Sequence, residues 1–90
     1  PFPSGRYLAL FQIKRSGVGV GNLARIDVHS EGGKNEAAAR AISVSEAGLK
    51  LWRYYTLEFK HQGGALETRI FWPGKASLEV GEILLWEIIP

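Results

Sequence analysis

The sequence predicts an all-β sandwich of about six to eight short antiparallel strands. Apolar and polar residues alternate with period two through most of the chain, as half-buried strands require. Turn residues, chiefly Gly, Pro, Asn and Ser, break that pattern at short intervals, the spacing expected of a sandwich or barrel. No helix-period segment is long enough to be stable or to alternate with strands in a parallel sheet.

The elements follow in order. Residues 6–14 set Tyr7, Ala9, Phe11 and Ile13 on one face and Arg6, Leu8, Leu10, Gln12 and Lys14 on the other. Leu8 and Leu10 make the second face apolar too, so this strand needs cover on both sides. Residues 15–22 are a Gly-rich connection. Residues 23–29 alternate again, with Ala24, Ile26 and Val28 opposed to Arg25, Asp27 and His29. Residues 30–36 read as a turn around Gly32 and Gly33. Residues 37–44 hold both an Ala-rich helical signal with a Glu36/Arg40 pair and the β-branched Ile42 and Val44. The stretch is too short for an isolated helix, so a strand is expected. Residues 45–51 form a loop with room for one helical turn.

Residues 52–60 are rich in aromatic and β-branched side chains, with Trp52, Tyr54, Thr56, Glu58 and Lys60 opposite Arg53, Tyr55, Leu57 and Phe59. A turn at Gly63 and Gly64 leads to a strand over 65–72, where Leu66, Thr68, Ile70 and Trp72 oppose Glu67, Arg69 and Phe71. Pro73 and Gly74 mark a turn. A short strand at 76–80 is followed by a bulge or kink at Gly81. The last strand, 82–89, is apolar on both faces, which predicts a central or sandwiched position. Trp72 and Trp86 are expected in the core.

Composition narrows the function classes. Ninety residues make one domain, residues 1–90. The opening Pro-Phe-Pro without Met reads as a processed or excised piece of a larger protein. With 46% hydrophobic and 22% charged residues the chain has enough apolar surface to fold. A net charge of +2, with the lone basic doublet Lys14 and Arg15, lacks the basic stripe of a nucleic-acid binder. No apolar run approaches a membrane span. Without Cys there is neither disulfide nor thiolate chemistry.

Catalytic motifs fail on spacing. Gly17, Gly19 and Gly21 resemble a dinucleotide fingerprint, but Asn22 holds the place of the third Gly and a strand follows where a helix N-terminus is needed. His29, Ser30 and Gly32 resemble a nucleophile elbow, but Val28 replaces its first Gly and no helix follows. Asp27, Glu58, Glu67 and Glu79 offer carboxylates for glycoside hydrolysis, yet each has a Lys or Arg nearby and reads as a charge-paired strand face. The chain is therefore expected not to be an enzyme. His29 and His61 lack transition-metal spacing. Oxygen ligands for a structural calcium could come from Asp27, Glu58, Glu79 or Glu87, but no Asp-rich loop supports one, and no cofactor is expected.

Aromatics are the remaining signal. Exposed rings flanked by polar groups suit a sugar, which offers a C–H face for stacking and hydroxyls for hydrogen bonds. The candidate ligand-binding residues are Trp52, Arg53 and Tyr54 on one strand and Glu67, Arg69 and Phe71 on another. Residues 52–89 carry an aromatic-x-x-aromatic-T-L-x-F strand (Trp52 to Phe59), a Gly turn and an A-L-E-x-R-I-F-W strand (Ala65 to Trp72). A last apolar strand follows within Ala76 to Ile89. This pattern resembles jelly-roll carbohydrate-binding modules of the galactose-binding-like type. Gly5, Arg6 and Tyr7, and the run from Ala24 to Val28, fit its first half. The resemblance implies a jelly-roll-like sandwich and a non-catalytic carbohydrate-binding or polysaccharide-associated module. Such modules are usually longer, so the resemblance implies one or more missing N-terminal strands, and the family's calcium ligands have no secure counterpart here. The alternatives are a protein-interaction or structural sandwich using a sheet edge or the Leu8/Leu10 patch, as a homo-oligomer or with another protein, or an accessory domain of a larger carbohydrate-active enzyme. An extracellular or cell-surface setting is slightly favoured.

Overall fold

A computed structural model describes residues 2–30 and 34–89 and shows an antiparallel β-sandwich of two three-stranded sheets. The six strands are β1 (Gly5–Arg15), β2 (Asn22–Ser30), β3 (Asn35–Ser43), β4 (Trp52–His61), β5 (Leu66–Phe71) and β6 (Leu78–Ile88). The first sheet runs β4-β1-β6 and the second β3-β2-β5, so β1 and β2 are the two central strands. The ambiguous segment after Gly33 is a strand, as β-branching at its far end favours. The expected turn at Gly32 and Gly33 lies outside the described residues. The loop 44–51 contains turns and no helix.

The core follows the period-two pattern. Tyr7, Ala9, Phe11 and Ile13 of β1, flanked in their own sheet by Tyr55, Leu57 and Phe59 of β4, pack with Ile26 and Val28 of β2 and Ile42 of β3 in one core. Tyr7 stacks on Phe59 with ring centroids 5.8 Å apart, and its phenol donates to the Pro3 carbonyl at 2.7 Å. Leu23 is buried beside Ala24 because the β2–β3 register shifts between Asn22 and Ala24, which turns two successive residues inward. Strict alternation had excluded Leu23.

The Gly-rich connection is a packing device. Ser16 N–H donates to the Ser77 carbonyl at 2.9 Å, which lays residues 16–21 against the loop before β6. A Cβ on Gly19 would stand 2.2 Å from the Lys75 carbonyl oxygen and 2.9 Å from the Ala76 Cβ. Neither atom ends a flexible side chain, so the backbones must part. Gly19→Ala is expected to cost about 1–3 kcal/mol. A thermal melt within error of the parent would show that these loops do not pack this way.

Two expectations are overturned. The last strand is not central: β6 is an edge strand paired only with β1 among the described residues. Trp72 and Trp86 are not core residues but 56% and 55% exposed. Both errors share a cause, since hydrophobicity alone does not distinguish a covered strand from an apolar edge. The expected separate strand at 76–80 merges into β6, which runs through an irregularity at Gly81. There the β1 register slips between Phe11 and Ile13.

Candidate functional site

The six candidate residues do not form one site. Trp52 and Tyr54 stand on the outer face of the β4-β1-β6 sheet, at 44% and 45% exposure. Arg53 alternates to the other side of β4, in register with the core residue Ile13. Glu67, Arg69 and Phe71 lie on the outer face of the opposite sheet, in register with His29, Asp27 and Arg25.

On the first face, the bulge organises the surroundings of Trp52. Gly81 lacks a side chain where a Cβ would meet the Gln12 Oε1 at 2.2 Å and the Trp52 ring at 3.2 Å. Gln12 uses that oxygen to accept the Glu82 N–H at 3.1 Å. The Lys14 ammonium sits 5.0 Å from the Trp52 ring centroid and 3.1 Å from Glu79. The Tyr54 phenol donates to Glu82 at 2.6 Å, and that bond raises its pKa by favouring the protonated form. Leu8 and Leu10 lie between these strands. Glu58 and Trp86 flank Leu8, and Thr56 and Leu84 flank Leu10, which leaves both leucines half-buried.

The second face carries a concentrated polar network. Arg25, Asp27 and His29 project outward from central β2, with Arg69 and Phe71 of β5 on one side and Glu36 of β3 on the other. Asp27 is only 4% exposed although it lies on the solvent side of its sheet. Two guanidiniums cover it. Arg25 Nη1 donates to Asp27 Oδ2 at 2.7 Å, and Arg69 Nε donates to Oδ1 at 3.0 Å. Arg25 also donates through Nη2 to Glu36 at 2.6 Å, and Arg69 Nη2 donates to the His29 ring nitrogen Nε2. The Glu36 bond raises the Arg25 pKa, and the Asp27 bond raises that of Arg69, so both cations are fixed. Beside them lies a groove of about 390 Å³ lined by Arg25, Asp27, Arg69, Ile70 and Phe71. Phe71 is 63% exposed at its rim. On β3 the facing positions are Ala39 and Ala41, whose small side chains leave this face low.

Asp27, His29 and Glu36 also bring three potential metal-ligand atoms within 4.8 Å of one another. The arginines make this a poor cation site. Each of the three groups already accepts a guanidinium N–H, and a divalent ion would have to displace two fixed positive charges. The other carboxylates considered for calcium lie elsewhere: Glu58 pairs with Arg6 and Glu79 with Lys14, both on the first sheet.

Sequence reasoning missed Arg25, Asp27, His29 and Glu36 as one cluster. The period-two pattern placed the first three on one face, but joining Arg69 and Glu36 to them requires the β5 and β3 registers, which the sequence does not display. Comparison of the chain with protein-family models, with curated proteins and with solved structures finds no match to any of them.

Proposed function

We propose that the protein is a non-catalytic carbohydrate-binding module and that the Arg25–Asp27–Arg69 groove with Phe71 takes the sugar. The observation that carries this reading is the pairing of an exposed aromatic ring with an internally hydrogen-bonded polar cluster along one groove. Phe71 supplies an apolar platform for a pyranose C–H face. The guanidiniums have more N–H donors than their internal bonds use, and these meet hydroxyl oxygens. Asp27 holds both guanidiniums in place before the ligand arrives, which reduces the entropy lost on binding.

Charge arithmetic selects the sugar class. Two arginines face three carboxylates, Asp27, Glu36 and Glu67, so the site has no surplus positive charge for a uronate or sulfate. A neutral saccharide is the better fit, and its binding should change little with salt.

Titration by intrinsic fluorescence with neutral and acidic saccharides tests this, with Trp72, the residue after Phe71 in the chain, as a reporter. Phe71→Ala is expected to weaken binding at least about tenfold, a loss near 1.4 kcal/mol, while Trp52→Ala leaves it unchanged. Loss in the Trp52 variant with retention in the Phe71 variant would move the site to the opposite face.

A further inference from the structure

The sandwich closes on one flank and gapes on the other. The two sheets meet mainly where β3 packs against β4, and β6 has no comparable contact with the second sheet. The strand nearest in position, β5, is six residues long, against eleven for β6. Residues of β6 that share the inner face therefore stay in contact with solvent: Val80 is 45% exposed and Ile83 38%. The chain's radius of gyration, 13.7 Å, exceeds the about 12 Å expected of a compact domain this size.

Beyond the irregularity at Gly81, the edge of β6 has little protection among the described residues. Soluble proteins blunt exposed edges with Lys, Pro or charges directed at an incoming strand. From Leu78 to Ile88 there is no Lys, Arg or Pro. Two of its three glutamates are held within the sheet, Glu79 by Lys14 and Glu82 by Tyr54. The segment after the bulge, residues 82–88, keeps Leu84 and Trp86 on the outer face and Ile83 and Leu85 on the inner.

We propose that two copies of the chain dimerise through β6, pairing edge to edge about a dyad at Leu84 to form one continuous six-stranded sheet. Such a dyad stands perpendicular to the sheet, so inner faces meet inner faces and facing residues keep the same parity. Centred on Leu84, it sets Ile83 opposite Leu85 twice on the inner side. On the outer side Leu84 faces Leu84, and Glu82 faces Trp86. No glutamate faces another. Centring on Ile83 instead would oppose Glu79 to Glu87, a like-charge pair. The favoured register joins the two open flanks into one interior, apolar except for Glu87 at its end opposite Gly81, and satisfies the edge amides and carbonyls of both copies. A second copy is thus complementary in backbone, in apolar surface and in charge. The groove at Arg25 lies on the other sheet's outer face and stays open, so the dimer presents two sugar sites if that reading holds.

The chain has no Cys, which makes a single introduced thiol a clean probe. Sedimentation of the unmodified protein from low micromolar to millimolar concentration is expected to show a monomer giving way to a dimer. Under mild oxidation Leu84→Cys should cross-link at least about tenfold faster than Thr56→Cys on β4, because only residues facing across the dyad bring Cα atoms within disulfide reach. A monomer at every concentration overturns the proposal and leaves the edge to a different strand. A dimer in which Leu84→Cys cross-links no faster than Thr56→Cys overturns it too, by placing the interface elsewhere. Neither readout involves sugar, so both are independent of the groove.

Discussion

Phe11→Ala is expected to lower stability by about 3–5 kcal/mol, the usual cost of removing a fully buried ring. Phe11 is 0% exposed, at the middle of the central strand β1, opposite Tyr55 on β4 and Ile83 on β6. Its ring spans the layer between the sheets, and a truncated side chain leaves a gap that neither neighbour can fill without breaking register. A domain this small has about 5–13 kcal/mol of stability in total, so this is a large share of it, and the variant should melt at least about 12 °C lower. Calorimetry of parent and variant measures this. A loss under about 1 kcal/mol would mean that the sheets do not meet at Phe11.

Asp27→Asn should have the second-largest effect, and on two observables at once. The substitution keeps size and removes charge. It also sets an amide NH₂ against guanidiniums that can only donate. The one remaining oxygen accepts from only one of the two, and leaving the other's donors without an acceptor costs about 1–3 kcal/mol. The lower half of that range applies, because the Arg25 and Arg69 side chains are 43% and 47% exposed and water can solvate them. On the proposed reading sugar affinity should fall more sharply than stability, since one guanidinium loses the acceptor that orients it and the other keeps only a neutral oxygen. Glu67→Gln on the same face is the control. Its side chain is exposed on β5, and its stability should stay within about 0.5 kcal/mol of the parent. Equal effects from the two variants would show that the network has no positioning role.

Much of the fold was legible because period-two patterning speaks directly about faces. Tyr7, Ala9, Phe11 and Ile13 recur at every second position of β1, and Tyr55, Leu57 and Phe59 do the same on β4; both sets are buried. What stayed hidden depends on neighbours across strands. Asp27 reads as a surface acid in sequence, and it is buried only because β5 brings Arg69 into register beside Arg25. Trp86 and the rest of β6 read as interior because the run is apolar on both faces, whereas edge position is a property of topology. The cluster around Asp27 was half legible for the same reason: Glu67, Arg69 and Phe71 read as one face of one strand, but the strands that bring Arg25, Asp27, His29 and Glu36 beside them did not. The split of Trp52 and Tyr54 from that group followed from sheet assignment, which local pattern does not encode.

The measurement that tests sugar binding in the groove most directly is an amide chemical-shift titration of the labelled protein with neutral oligosaccharides. Saturable shifts confined to Arg25, Asp27, His29, Arg69 and Phe71, and little altered by salt, are the predicted result. Shifts clustered at Trp52, Tyr54 and Gly81, or no shift with any saccharide, would contradict it.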